Sequence, residues 1–252
     1  MFATQVEEIC TLHATATEQY ATSGLNAVSV DEKPGVQAIE RDGATLPTRP
    51  SLVERREFNY IRHGTQVLTV NLHLATGKLL ASTIQDRRTE ADFVAHITQT
   101  VNTAAYASWL FLCDQLNTHK SETLLRYVAE SIGDTQYLGE KGKTGILKNM
   151  TTRQAYLSDP EHRIRFVYTP KHCSWLNSVE VWFSILTTHV LKRGNFTSIA
   201  DLQQKLMRYI TFYNEHLAKA WNWSVIKTRD IHQLIDNVQQ IECAGTFRGL
   251  AG

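Results

Sequence analysis

The sequence lacks the features of a membrane, secreted or fibrous protein. It has no run approaching the roughly 20 consecutive apolar residues of a membrane helix, and 252 residues include only 5 prolines and 13 glycines. The first eight residues contain two acids and no basic residue, so a signal peptide is not expected. Hydrophobic residues make up 42% and charged residues 20%, as in globular proteins. We expect a cytoplasmic protein that consists of one domain, or of one domain plus a small appendage.

An excess of charge of one sign is also missing. Lys and Arg total 26, Asp and Glu total 25, and the net charge of +1 provides no general attraction to nucleic acid. The few cysteines are scattered, with no C-x-x-C pair or zinc-site spacing: Cys10, Cys113, Cys173 and Cys243. We expect reduced cysteines that act as small hydrophobic residues, and any nucleic-acid contact must come from local basic patches.

Apolar periodicity in the first half predicts a helix followed by three strands of a meander, with one further short strand inside a loop. The helix covers about 2–20, and the alternating segment 25–30 predicts a strand that ends at Pro34–Gly35, with Asp31 at its tip. The polar stretch 37–64 is predicted to be a long loop with a short strand around 58–61. The apolar runs 67–74 and 79–84 flank a short glycine turn and predict a hairpin.

The second half predicts helices that alternate with strands. Helices begin near Thr89, Ser121 and Ser198 and cover about 174–191, and short apolar strands cover 108–113 and 164–168. A meander followed by crossover-connected strands predicts an α/β fold with a mixed five-stranded sheet and helices on both faces. This is the ribonuclease-H-like order, which other α/β folds share.

Three acids occupy positions from which their carboxylates can converge. Asp31 and Asp114 follow buried strands, and Glu180 is bracketed by apolar residues in the helix predicted over 174–191. Carboxylates brought together repel one another unless a divalent metal neutralises them, and oxygen ligands favour Mg²⁺ or Mn²⁺ over Zn²⁺. Taken singly, an acid after a strand is more often a turn-former or helix cap than a metal ligand. Their combination is what suggests a metal site.

Three sequence blocks around these acids resemble one family. The blocks are Ser29–Pro34 (SVDEKP), Leu112–Lys120 (LCDQLNTHK) and Tyr168–Phe183 (YTPKHCSWLNSVEVWF). They resemble the catalytic domain of DDE transposases, in the bacterial insertion-sequence branch of the mariner superfamily. The third block, which pairs S-W-L-N with E-x-W-F, is the most specific, and the resemblance extends over about 26–223.

The resemblance implies a ribonuclease-H-like fold in which the family's D, D and E hold two divalent ions, Mg²⁺ or Mn²⁺. By position in the blocks, those catalytic and metal-binding acids fall on Asp31, Asp114 and Glu180. Such a site cleaves a DNA strand at the end of a mobile element and joins the freed 3′ end to target DNA. The implied partners are terminal inverted repeats, target DNA and a second copy of the chain, in a bacterial, nucleoid-associated setting.

Three further residues are candidates for supporting the active site. His119 matches a motif position and could orient a phosphate or a ligand, although a structural role is equally open. Asn177 lies one helical turn before Glu180, so both can face one side of a helix, and Lys33 lies in the first block. Nearby aromatic residues are predicted to anchor the core rather than stack on bases: Trp175, Trp182 and Phe183.

Two basic stretches are candidates for DNA contact. The first interleaves with acids and consists of Arg49, Arg55, Arg56 and Arg62. The second belongs mostly to a Gly/Lys-rich segment, 132–160, that we predict to be a flexible insertion; its candidates are Lys141, Lys143, Lys148, Arg153 and Lys171. Internal ion pairing and a solvated loop are the respective alternatives.

The predicted organisation is an N-terminal helical segment over 1–24, a catalytic domain over 25–223 and a C-terminal tail over 224–252. The 65 residues between Asp114 and Glu180 exceed the spacing of many mariner relatives, which is why 132–160 is interpreted as an insertion. Only 30 residues precede Asp31, so we expect a helix-turn-helix reader on an upstream segment or separate chain. The alternatives are a structure-directed ribonuclease-H-like nuclease without transposition and a non-catalytic DNA-binding remnant.

Overall fold

A five-stranded mixed sheet forms the centre of the protein. The computed structural model describes residues 2–41, 43, 59–171 and 173–220. The strands are β1 (Asn26–Arg41), β2 (Tyr60–His73), β3 (Leu79–Gln85), β4 (Trp109–Cys113) and β5 (Ile164–Tyr168). Their spatial order is β3-β2-β1-β4-β5, with antiparallel pairing from β3 to β1 and parallel pairing from β1 to β5. The predicted mixed sheet is confirmed.

Helices cover both faces of this sheet. They are α1 (Phe2–Ser23), α2 (Glu90–Val101), α3 (Glu122–Ile132), α4 (Met150–Leu157), α5 (Val179–Leu186) and α6 (Ile199–His216). Apolar residues of α2, α3 and α4 pack on one face, and those of α1, α5 and α6 pack on the other. The predicted helix starts are confirmed at Thr89, which forms a capping box with Asp92, and at Ser121, which accepts from the N–H of Leu124.

Strand β1 continues past the point where the sequence predicts its end. Its antiparallel register with β2 breaks between Lys33 and Val36 and then resumes, so Pro34 and Gly35 form a bulge. Proline lacks a backbone donor and Gly35 has a φ of 73°, which suits an unpaired kink. The predictions that β1 ends here, that Asp31 lies at its tip and that 37–41 is loop were therefore wrong. Likewise, β2 begins at Tyr60 and is much longer than the short strand predicted around 58–61.

The Gly/Lys-rich segment contains ordered structure rather than a flexible loop. It includes α4, and the Leu147 side chain before that helix is fully buried in the core. A Cβ on Gly139, whose φ is 94°, would lie 2.1 Å from the backbone oxygen of Thr144, so only glycine permits this tight turn. The prediction of a flexible segment was wrong because these glycines close a compact loop instead of loosening one.

The helix predicted over 174–191 is divided into three parts. A short 3₁₀ helix covers Ser174–Leu176, α5 follows, and a π-helical turn covers Thr187–Leu191. Asn177 is extended, with φ −88° and ψ 102°, so the residues before it do not continue the buried face of α5. As predicted, Trp182 and Phe183 are buried, but Trp175 is 36% exposed and is not a core anchor.

The remaining sequence-level expectations concern cysteine and membrane insertion. Within the described ranges, Cys113 and Cys173 are fully buried, as expected of small hydrophobic side chains. Cys243 lies outside those ranges. Among the described helices, none has the length and apolar character needed to cross a membrane.

Candidate active site

Parallel strand pairing brings the first two acids together. The β1–β4 register places Ser29 opposite Leu112, and two residues further along each strand lie Asp31 and Asp114. Because β1 and β4 run in the same direction, both carboxylates lie beyond the same end of the paired segment. Asp31 is buried, with 7% of its surface exposed, and Asp114 is half-buried. The predicted proximity of these two acids follows from the register.

The two carboxylates have different electrostatic environments. Burial, reinforced by the nearby negative charge of Asp114, raises the pKa of Asp31 to about 7. Burial alone would also raise the pKa of Asp114, but hydrogen bonding and charge attraction from His119 hold that pKa below its usual value. The negative charge that accumulates here is what a divalent cation would compensate.

Asn177 connects Asp31 to the N-terminal end of α5. Its side-chain amide nitrogen donates two hydrogen bonds, one to Oδ2 of Asp31 and one to the backbone oxygen of Val30, and each bond is 3.1 Å long. Its Oδ1 accepts from the hydroxyl of Ser29, and the Ser29 oxygen accepts from the N–H of Val179 over 2.9 Å. The helix is thereby attached to β1 beside the first acid. Asn177 thus supports Asp31 directly, whereas the sequence suggested a shared helix face with Glu180.

Glu180 lies in the first turn of α5, immediately after this anchor. It is half-buried, and its backbone N–H donates a 3.0 Å hydrogen bond to the backbone oxygen of Asn177. In the part of the chain that the structure describes, no three His, Cys, Asp or Glu side chains are grouped as a metal cluster. The structure brings Asp31 and Asp114 together, and Glu180 as the third ligand stays a prediction.

His119 is enclosed between two carboxylates. Its Nδ1 lies 2.8 Å from Oδ1 of Asp114, its Nε2 lies 3.2 Å from Oε2 of Glu32, and the imidazole is fully buried. The ring also packs on Phe93, with 4.2 Å between the ring centroids. Burial would lower the pKa of His119, but its carboxylate partners raise that pKa well above the usual value. His119 therefore contacts the second acid, as a supporting residue would.

Glu32 and Lys120 are buried polar residues of this region that the sequence analysis did not select. Strand alternation was the available signal for Glu32, since it shares the core-facing side of β1 with two buried valines, Val28 and Val30. The ammonium of Lys120 donates to the side-chain oxygens of Gln115 and Gln154 and lies 5.0 Å from the centre of the Tyr168 ring. Lys33, which was selected, has its ammonium 5.7 Å from the centre of the Phe183 ring.

The candidate DNA-contacting residues divide by exposure. The exposed ones are Arg62, Lys141, Lys143, Lys148 and Lys171. Lys141 lies 4.0 Å from a carboxylate oxygen of Glu122, and Lys143 lies 2.9 Å from one of Glu140, so internal pairing occurs. Arg153 is buried and its Nε donates to the backbone oxygen of Asn149, so its prediction as an exposed phosphate contact was wrong. Arg49, Arg55 and Arg56 lie outside the described residues.

The family of the chain follows from its sequence over the same region. Residues 28–203, which include all three candidate acids, match the family model described as DDE superfamily endonuclease. The match covers more than half of the chain. The chain therefore belongs to the DDE superfamily endonuclease family.

Solved structures show where the fold has been seen before. The Mos1 transposase catalytic domain with raltegravir and Mn has a TM-score of 0.51 at 10% identity, covering 92% of this chain and 88% of that one. A second Mos1 mariner transposase catalytic domain has a TM-score of 0.47 at 10% identity, covering 84% and 85%. At 10% identity the first of these two likenesses is one of fold, and the predicted ribonuclease-H-like fold is confirmed.

The chain is shorter than the Mos1 mariner protein in a solved paired end complex. The Mos1 mariner paired end complex with Mn has a TM-score of 0.48 at 11% identity, covering 84% of this chain but 57% of that chain. The present chain thus spans little more than half of that protein's length. A comparison with curated proteins gives no significant match.

Proposed function

We propose that the chain is the catalytic domain of a DNA transposase from the bacterial insertion-sequence branch of the mariner superfamily. It cleaves a DNA strand at the ends of a mobile element and joins the freed 3′ end to target DNA. The observation that carries the proposal is that Asp31 and Asp114 lie beyond the same end of the parallel β1–β4 pair, with Asn177 linking Asp31 to the helix of Glu180. Membership of the DDE endonuclease family supports strand cleavage as the underlying chemistry.

The donor atoms fit divalent ions, and Asp31, Asp114 and Glu180 are the residues that would hold two of them. Carboxylate oxygens are the ligands that Mg²⁺ and Mn²⁺ prefer. The hydrogen bonds that described groups donate to the Asp114 carboxylate fall on Oδ1, so Oδ2 keeps its lone pairs for a ligand. When bound, the ions would activate the attacking hydroxyl and stabilise the leaving oxygen.

The protein groups around these acids hold them in position for both steps of the reaction. Asn177 orients Asp31 by donating to Oδ2, and His119 orients Asp114 by donating to Oδ1. Strand cleavage by water and strand joining by a 3′-hydroxyl are both in-line displacements at phosphorus. One set of fixed carboxylates therefore serves both steps, and Lys33 is proposed to support the site beside them.

The proposed partners are DNA and further protein segments. Exposed basic residues such as Lys148 and Lys171 contact phosphates, and an upstream helix-turn-helix segment or chain reads the terminal repeats, since phosphate contacts alone carry no sequence information. Two copies of the chain form the active complex at the bacterial nucleoid, in the cytoplasm. We keep the division into 1–24, 25–223 with an insertion over 132–160, and 224–252.

The test is a cleavage and joining assay with labelled duplex DNA that carries the terminal repeat flanking the gene. With Mg²⁺ or Mn²⁺, the chain, supplied with its upstream DNA-binding segment, is expected to nick the repeat end and join it to a second duplex. Asp31→Asn, Asp114→Asn and Glu180→Gln should each lower the rate by about 10³ or more, because each removes a charge from a site that acts electrostatically.

The matched control is Glu215→Gln, which changes an exposed glutamate near the end of α6 and should leave the rate unchanged. Near-normal joining by any of the three active-site variants would contradict the mechanism. Cleavage without joining would favour the structure-directed nuclease instead. If the unsubstituted protein binds DNA but neither cleaves nor joins it, the non-catalytic remnant would be favoured.

A further inference from the structure

We infer that Glu32 is a positioning residue of the active site, which acts on Asp114 through His119. The inference rests on the proposed function, because it concerns a proposed metal ligand. Glu32 adjoins Asp31 in β1, yet it is not one of the three acids of the proposed metal site. Its carboxylate is instead buried against the imidazole that contacts Asp114.

Strand geometry separates Glu32 from the metal-binding face. Successive side chains of a strand point to opposite faces, and Asp31 shares its face with Ser29, which contacts the loop before α5. Glu32 shares the other face with Val28 and Val30, which pack in the core beside α2 and α3. A direct role for Glu32 beside Asp31 is therefore disfavoured, and any effect on the site must pass through a group at the strand end.

His119 is that group, and its surroundings fix it. Its Nε2 lies 3.2 Å from Glu32 and its Nδ1 lies 2.8 Å from Asp114, with side-chain exposures of 0% for His119 and 3% for Glu32. Phe93 packs on the ring. Metal-ligating groups in proteins are commonly oriented by such outer partners, whose loss weakens metal affinity or activity by about 10- to 100-fold.

The hydrogen-bond geometry determines the direction of the effect. The Glu32 carboxylate lies 3.2 Å from Nε2 of His119, and the opposite ring nitrogen contacts Asp114. Glu32→Gln replaces that carboxylate with an amide, whose oxygen is a weaker acceptor. The ring is then held less firmly against Asp114, and metal affinity should fall.

The experiment is a Mn²⁺ titration of the full chain in the absence of DNA, with free Mn²⁺ followed by electron paramagnetic resonance. Glu32→Gln is expected to raise the dissociation constant for Mn²⁺ about 10-fold or more. The control is Glu40→Gln, because Glu40 lies in the same strand and also contacts a histidine, His63, at 2.7 Å, yet outside the site. An unchanged affinity in Glu32→Gln would overturn the inference.

A double-mutant cycle tests whether the effect passes through His119. In a His119→Asn background, Glu32→Gln should weaken Mn²⁺ binding no further, because the link to Asp114 is already lost. An equal additional loss in that background would mean that Glu32 acts by its charge alone, and would also overturn the inference. A solely structural role would lower the unfolding temperature without producing this dependence on His119.

The outcomes also separate this inference from the proposed function. If the unchanged protein binds no Mn²⁺, or if Asp31→Asn binds it equally well, the proposed metal site fails and the inference with it. If Asp31→Asn abolishes binding while Glu32→Gln does not weaken it, only the inference fails. Glu32→Asp serves if Glu32→Gln does not fold, since it keeps the charge but withdraws the carboxylate from His119, and it should also weaken binding.

Discussion

The side-chain amide of Asn177 donates a 3.1 Å hydrogen bond to Oδ2 of Asp31, across 146 residues of sequence. Because Asn177 lies two residues before the helix of Glu180 begins at Val179, this bond joins the strand of the first acid to the helix of the third. Both residues are buried, so water does not replace the bond if it is lost. The relationship makes Asn177 a sensitive position.

We expect Asn177→Asp to destabilise the protein by about 3 kcal/mol, because it replaces a buried donor with a charge beside Asp31. Urea unfolding at neutral pH measures the change. The comparison is Asn214→Asp, since Asn214 bonds the backbone of Leu79 through both side-chain atoms and should cost only about 1 kcal/mol. Equal losses in the two variants would show that proximity to Asp31 is irrelevant.

Stability should fall in mild acid because of His96. This residue of α2 is buried, and burial lowers its pKa to about 3, whereas the unfolded chain has the ordinary value of 6.5. The contribution of neutral His96 to the free energy of unfolding is fully present above pH 6.5. It is lost as the pH falls toward 3, because in that range only the unfolded chain binds a proton on this residue. Between pH 7 and pH 4.5 the loss from His96 should be about 2–3 kcal/mol.

The variant His96→Gln should flatten this pH dependence, which urea unfolding at several pH values measures. His216→Gln is the control, since His216 is exposed in the last turn of α6. Other buried histidines contribute to the same slope, so the quantity to compare is the difference between variant and parent. An unchanged slope in His96→Gln would contradict the prediction.

The segment 132–160 should contribute to global stability rather than behave as a removable loop. Leu147→Ala should cost about 2–5 kcal/mol, because the fully buried side chain leaves a cavity. Its exposed neighbour offers a control, and Lys148→Ala should change stability by less than about 0.5 kcal/mol. Thermal or urea unfolding measures both changes. A negligible effect of Leu147→Ala would contradict the prediction and indicate that the segment does not contribute to the core.

Non-specific DNA binding should depend on where a lysine lies. Lys171 follows β5 at the end of the sheet that carries Asp114, whereas Lys78 lies in the β2–β3 turn at the opposite end. Lys171→Ala should weaken binding of random duplex and reduce the slope of log affinity against log salt by about 1, while Lys78→Ala changes neither. Both variants have the same net charge, so equal effects would contradict a localised DNA surface.

Much of the fold could be predicted because local chemistry specifies it. The capping residues before α2, α3 and α6, the glycine turn between β2 and β3 and the apolar runs of β4 and β5 are all features of short segments. The end of β1 could not be predicted in this way. Proline and glycine usually end a strand, but here pairing with β2 on the far side of Pro34–Gly35 outweighs the local preference.

In the candidate site, too, features of short segments could be predicted and contacts between distant segments could not. Asp31, Asp114 and Glu180 were identified from motifs, and His119 and Asn177 were selected beside them, because each lies within a short recognisable block. The partners of His119 and Asn177 were not predicted, since Glu32 and Asp31 are far from them in sequence. Arg153 was misassigned because burial depends on how α4 packs, which its own segment does not reveal.

By itself the sequence indicated the family and the order of the five strands, and it supplied the three candidate acids, because these depend on residue type and spacing within short stretches. Only the tertiary structure decided that Asp31 and Asp114 lie beyond the same end of two paired strands, that Asn177 holds Asp31, and that His119 lies between Glu32 and Asp114. The physical reason is that strand register and burial are set by contacts between distant segments. The free energy of a buried charge depends on those neighbours rather than on adjacent residues in the chain.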